Sequence, residues 1–178
     1  IAWSLTGIHN VQNALAAIAA ARHAGVQPSV ACAALCDFTG VKRRLELIHS
    51  DDNLNIYDDF AHHPTAIQST LTGLRAKIGS DTLLAVIEPA SHTMRLGIHA
   101  TTLANAISPA DHTMWFNPEN INWDMRQHLS STASEIINNT DVLLSRCNDY
   151  IDKHRPLHVV IMSNGGFNGF HEKLIAEL

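Results

Sequence analysis

The sequence predicts an α/β fold: a doubly wound, mostly parallel sheet preceded by a short helical segment. Two observations carry this expectation. Segments of helical spacing alternate with short apolar runs along most of the chain, as in a crossover sheet with helices on both faces. One run, "TLLAVIE", is apolar without alternation, as a strand covered on both sides must be. The 178 residues, 46% hydrophobic and 16% charged, suit one ordinary cored domain or a compact domain plus part of another.

The first element is "NVQNALAAIAAARHAGV", a helix with Val11, Leu15, Ile18 and Arg22 at helical spacing, Asn10 as the expected N-cap and Gly25 at the C-terminal stop. A shorter helix is expected from about Val30, opened by "QPS" and closed near Asp37. "FTGVKRR" then reads as a turn and linker, with a domain boundary near Gly40–Arg43 that divides the chain into 1–41 and 42–178. Beyond it "RLELIH" and "LNIYDDF" form strands around the hairpin turn "SDDN". From Pro64 the period becomes helical, with Ile67, Leu71, Leu74 and Ile78 on one face and Gly79 at the end. After "TLLAVIE" come a helix near "HATTLANAI", the strand "HTMWF", a helix over "DVLLSRCNDYIDKH", the strand "LHVVIMS" and a last helix from about Gly169. In such a sheet ligands gather beyond the carboxyl ends of the strands, here "YDDFAHH", "IEPASHT", "FNPEN" and "MSNGGFNG".

Composition narrows the function. A net charge of −5 gives no electrostatic reason to expect nucleic acid. No apolar run is long enough to cross a membrane as a helix, so no membrane partner is expected. The three cysteines (Cys32, Cys36, Cys147) suggest no disulfide framework and suit a reducing cytoplasm. Cys32 and Cys36, four apart, are expected to pack in a core rather than to bind metal. The start at Ile1, in mid-pattern, reads as a piece of a longer product.

Each polar constellation has two readings. His9, Asn10 and Asn13 are either a capping group or paired amides facing a planar heterocycle. In "VKRRLE", Arg44 either forks onto phosphate or carboxylate oxygens or belongs to a solvated basic turn. Pro64 opens a helix whose free N–H groups lie beside His62 and His63 and suit an anion; Asp59 stands at the strand end, positioned for ribose hydroxyls. A metal site from adjacent histidines is disfavoured, because both rings rarely reach one ion. "SNGGFNG" resembles a glycine-rich phosphate turn but lacks the G-x-G-x-x-G spacing, and no G-x-x-x-x-G-K-[ST] motif occurs.

Taken in order, "GIHNVQNALAA", "FTGVKRRLE", "YDDFAHHPTAI", "EPASHTM" and "MSNGGFNGFHEKL" resemble the Mur ligase family of ATP-dependent amide ligases. The resemblance runs over essentially the whole chain and points to the branch acting on UDP-N-acetylmuramate. It implies the last helices of a central ATPase domain followed by a complete Rossmann-like C-terminal domain. It also implies ATP and magnesium as cofactors, with the magnesium ligands mainly in the missing N-terminal and central domains, and no metal site in this chain. By the same resemblance His9, Asn10, Asn13, Arg44 and Asp59 face ATP, while His62, His63, Ser163, Asn164 and Gly165 face phosphate or substrate. The expected reaction joins UDP-N-acetylmuramate to the murein tripeptide L-alanyl-γ-D-glutamyl-meso-diaminopimelate in cell-wall recycling, through an acyl phosphate, with no catalytic residue assigned to this piece. Alternatives are an L-alanine-adding ligase, a non-catalytic nucleotide-binding module, or a metal-dependent hydrolase using His62, His63 and Asp59. Ala90 and His92 stand where the family pattern leads one to expect arginine and asparagine, so a peptide carboxylate would need another partner such as Arg95.

Overall fold

Alternating side chains of the central strands feed two separate apolar layers, one on each side of a six-stranded sheet. The computed structural model describes residues 1–178 except Ser4, Pro118, Asn120 and 130–132. The sheet comprises β1 (Glu46–Ser50), β2 (Leu54–Asp59), β3 (Thr82–Ile87), β4 (His112–Phe116), β5 (Ser134–Ile137) and β6 (Leu157–Met162), in the order β1-β2-β6-β3-β4-β5. Only the β1–β2 hairpin is antiparallel; β2 to β5 and β6 run parallel. Asp51 closes the hairpin turn by accepting from the Asn53 and Leu54 amides at 2.8 and 2.7 Å.

One layer packs Leu54, Ile56, Leu84, Val86, Val159 and Ile161 against α7 (Thr140–Lys153) and α8 (Phe170–Ala176). The other packs Tyr57, Leu83, Ala85, Ile87, Trp115, Val160 and Met162 against α3 (Pro64–Ile78), α5 (Ala100–Ala106) and α6 (Met125–Leu129). Burial on both faces is why "TLLAVIE" carries no polar alternation. Ile67, Leu71 and Leu74 of α3 are 0% exposed, each worth about 1.5–3 kcal/mol relative to an exposed side chain. Asn139 caps α7 by accepting from the Asp141 and Val142 amides.

The predicted strands and long helices are all present. Among the strands and α-helices of the described residues, three short elements went unseen: β5, and the one-turn helices α4 (His92–Arg95) and α6. Four or five residues hold too little periodicity to announce themselves, and β5 forms because β4 offers it an edge. "FNPEN" lies partly outside the described residues.

The N-terminal helices depart from expectation in three ways. Helix α1 (Ile8–His23) starts three residues early, with Gly7 at φ 86 as its N-cap; Asn10 lies inside it and donates its amide to the Thr6 carbonyl at 2.7 Å. Helix α2 (Pro28–Cys36) starts at its proline, whose fixed φ suits the first turn. Neither helix has a core face: Ala14 is the buried residue of α1, and all nine residues of α2 are at least partly exposed. Cys32 and Cys36 therefore do not pack in a core, whereas Cys147 is buried and burial pushes its thiol up to about 12.

Candidate functional site: a cleft between helix α1 and the strap before the sheet

Residues 38–45 form a strap between α2 and β1. Together with α1 and the end of β2 it encloses a cleft of about 810 Å³. The cleft gathers His9, Asn10 and Asn13 from one side, Arg44 from the strap and Asp59 from the sheet. All five were expected to face one ligand, and they share one cavity. His62, His63, Ser163, Asn164 and Gly165 do not line it.

Two contacts hold the α1 wall. His9 Nδ1 and Ser69 Oγ of α3 lie 2.9 Å apart. Gly73 of α3 lets the Thr6–Gly7 backbone approach so closely that a Cβ there would lie 3.1 Å from Gly7 N. The Asn13 side chain is exposed and has no hydrogen bond among the described residues, which leaves its amide available in the cleft.

Asp59 is 3% exposed, and its carboxylate is already engaged by the chain. Oδ2 accepts from Leu45 N at 2.7 Å; Oδ1 accepts from Ala61 N at 2.7 Å and, more weakly, from Thr70 Oγ1 at 3.4 Å. Desolvation raises its pKa, opposed by those amide bonds and by the Arg44 charge. Within the protein its work is to pin the strap to the end of β2.

The two arginines of "KRR" part company. Arg43, in the left-handed region at φ 58, turns inward: Nε reaches Asp58 Oδ2 at 3.2 Å, and Nη2 donates to the carbonyls of Ser163 and Gly165 at 2.6 and 3.0 Å. Arg44 turns into the cleft, its guanidinium 5.5 Å from the Phe60 ring centre and without a hydrogen bond or ion pair among the described residues. Nothing in two adjacent arginines tells which goes inward. The left-handed turns at Arg43 and Leu45 decide it.

The other predicted residues occupy two further places along the same sheet edge. His62 Nδ1 donates to the Phe60 carbonyl at 2.9 Å. His63 is the N-cap of α3, its Nδ1 accepting from Thr65 N at 3.4 Å, and its ring meets His99 edge-on at 4.2 Å. One of the helix N–H groups expected to await an anion is thus already occupied. Burial, then the neighbouring His99 and His62, lower the His63 pKa. Among the described residues no group of three or more His, Cys, Asp or Glu is placed to hold a metal ion.

Ser163, fully buried at the end of β6, donates to the Glu88 carboxylate and accepts from Gly165 N at 2.9 Å. Asn164 Oδ1 is buried with no hydrogen-bond partner among the described residues. The "SNGGFNG" turn is not a nest of positive-φ glycines: its left-handed residues are Phe167, Asn168 and Gly169. Arg43 and Glu88 are the contributors that the sequence reading missed. Glu88 follows an apolar strand and precedes a proline, a position that marked the loop but not the residue.

The family model described as Mur ligase, glutamate ligase domain, matches residues 43–163. The chain is 42% identical, along its full length, to the UDP-N-acetylmuramate–L-alanyl-γ-D-glutamyl-meso-2,6-diaminoheptandioate ligase of Haemophilus influenzae, of which it covers 40%. An L-alanine ligase of Caldicellulosiruptor bescii is 44% identical over 50% of the chain and 19% of that relative. Among solved structures, a murein peptide ligase from Psychrobacter arcticus superposes with a TM-score of 0.75 at 41% identity, over 99% of this chain and 38% of that one. The chain thus spans about two-fifths of the length of the Haemophilus relative. With its parallel sheet, its strap and its family match over most of the residues that build them, the chain belongs to the Mur ligase family.

Proposed function

We propose that this chain is the C-terminal part of an ATP-dependent ligase that joins UDP-N-acetylmuramate to L-alanyl-γ-D-glutamyl-meso-diaminopimelate, the peptide salvage reaction of cell-wall recycling in the cytoplasm. The observation that carries the reading is similarity to the tripeptide ligase over the full chain, against half of it for the L-alanine ligase. On this reading residues 1–41 end a central nucleotide-binding domain, 42–178 form the closing domain, and the rest of the parent chain supplies the UDP-sugar site.

The cleft fits ATP. Asn10 and Asn13 offer amides to a planar base, and the unpaired Arg44 guanidinium offers a fork of donors to phosphate oxygens. Asp59 acts on the nucleotide through the strap rather than by direct contact, since its oxygens already accept from the backbone. ATP would supply the phosphoryl group that activates the lactyl carboxylate, and the peptide amine would then displace phosphate to form the amide. Among the described residues no group of three or more His, Cys, Asp or Glu is placed to hold a metal ion, so the magnesium ligands are assigned mainly to the rest of the parent chain. The edge formed by Glu88, Ser163, Asn164 and Gly165 faces the incoming peptide, where the unpartnered Asn164 oxygen offers an acceptor for an amine.

The test is ADP release by the full-length parent enzyme with UDP-N-acetylmuramate and the tripeptide. Release is expected to depend on the tripeptide, with L-alanine unable to replace it. Arg44→Ala is expected to lower kcat/KM for ATP by about tenfold or more, the loss of a charge-assisted pair. Release driven by L-alanine instead would move the protein to the other branch.

A further inference from the structure

We infer that Arg43 is the positioning residue of the acceptor site, holding the 163–165 loop in register with the nucleotide strap without itself touching the reactants. The inference rests on the ligase reading above. Its basis is a single guanidinium that ties together three parts of the edge. Arg43 Nε reaches Asp58 on β2 at 3.2 Å, and Nη2 reaches the Ser163 and Gly165 carbonyls at the end of β6 at 2.6 and 3.0 Å. Its backbone belongs to the strap that carries Arg44: the Arg43 amide donates to Glu46 at 2.8 Å, and its carbonyl accepts from Phe60 N at 2.8 Å.

The two ends of this link differ in what else holds them. The strap keeps its own bonds when the guanidinium is removed, through Asp59 to Leu45 and through Phe60 to the Arg43 carbonyl. The base of the loop is held by Ser163, which donates its amide to the Asp59 carbonyl at 3.1 Å and its hydroxyl to Glu88 while accepting from Gly165 N, but the carbonyls on either side of Asn164 are taken up by Arg43. Asn164 Oδ1 is buried and has no hydrogen-bond partner among the described residues. A buried acceptor without a donor costs free energy, and on the ligase reading the peptide amine is the donor that meets it. Fixing the carbonyls on both sides fixes where that oxygen points.

Asp58 orients the clamp in turn. Its other oxygen lies 3.2 Å from His171 Nε2 of α8 without hydrogen-bond geometry, so the carboxylate's directional bond is the one to Arg43. A lysine cannot reproduce this arrangement, because one ammonium cannot span Asp58 and two carbonyls as the planar fork does.

The test uses the full-length enzyme and compares wild type, Arg43→Asn and Arg43→Lys. Asparagine tolerates the left-handed backbone, so Arg43→Asn removes the guanidinium while keeping the φ of 58 accessible. Lysine keeps the charge and loses the fork. Both variants are expected to raise KM for the tripeptide about tenfold, while KM for UDP-N-acetylmuramate moves less than about twofold. Full restoration by Arg43→Lys would reduce the residue to a source of positive charge, and a rise in the KM for ATP alone would assign it to the nucleotide; either outcome overturns the inference. A loss of Tm with unchanged KM values overturns it as well, leaving a strut of the fold. Wild type without tripeptide-dependent ADP release would bring down the ligase reading and this inference together, whereas an active wild type with unaffected variants removes the inference alone.

Discussion

At the scale of single residues, similar side chains acquire unlike tasks from the backbone beneath them. His62 and His63 are adjacent and identical in kind, yet one bonds the Phe60 carbonyl and the other caps α3. The cap has a measurable consequence. Burial and the rings of His99 and His62 lower the His63 pKa, so the fold favours the neutral ring. The sign follows: any contribution to stability is present above the unfolded value of about 6.5 and is lost as pH falls through the depressed value. His63 is exposed, so the effect belongs in a titration curve rather than in an energy. An NMR titration of the His63 ring should give a midpoint below 6.5, and His99→Ala should move it part of the way back. A midpoint unmoved by that substitution would remove His99 as a cause. The sequence showed that "AHHP" opens a helix at a strand end, because proline and spacing report on backbone. It did not show that a histidine would serve as the cap, since serine, threonine, asparagine and aspartate usually do.

At the scale of elements, the long helices and buried strands were legible because each repeats its signal over several residues. The α1–α3 contact was not, because it depends on one glycine. Gly73 lies inside α3, where alanine would ordinarily add about 1 kcal/mol of helix stability. A Cβ there would lie 3.1 Å from Gly7 N, 3.2 Å from Gly7 Cα and 3.3 Å from Thr6 Oγ1, so the start of α1 must shift by a few tenths of an ångström. The start of α1 can yield: its neighbouring tie to α3 is the His9–Ser69 pair, and Gly7 is only its N-cap. Gly73→Ala is therefore expected to leave Tm unchanged or slightly raised while increasing KM for ATP several-fold, because the shifted wall carries His9, Asn10 and Asn13. A large fall in Tm would mean that the contact is rigid and that α3, not α1, gives way. Nothing around Gly73 in the sequence announces the contact; the reason for the glycine stands sixty-six residues earlier, at Gly7.

At the scale of the whole molecule, the chain divides by the quality of its burial. Strands β2, β3 and β6 are covered on both faces, and Leu54, Ile56, Leu84, Val86, Val159 and Ile161 are fully inaccessible. Helices α1 and α2 carry apolar side chains with nothing over them: Ile8 is 69% exposed, Leu15 62% and Val30 59%. The periodicity that predicted α1 was real, but the partner of its apolar positions is not the sheet. A helix tied to the sheet domain by one side-chain hydrogen bond and one close glycine contact, with a single buried alanine, opens at low cost, so its amides are predicted to exchange by local unfolding rather than with the core. Hydrogen–deuterium exchange on the 178-residue chain should label α1 and α2 well before β2, β3 and β6. In the full-length parent, where the proposed central domain would cover Ile8, Leu15 and Val30, protection of α1 should rise while that of the sheet stays the same. Equal protection of α1 and the sheet in the 178-residue chain would show that the α3 contact suffices to lock the cleft wall. The nucleotide site would then be preformed in this part of the protein, and domain closure would be left only to deliver the remaining phosphate contacts.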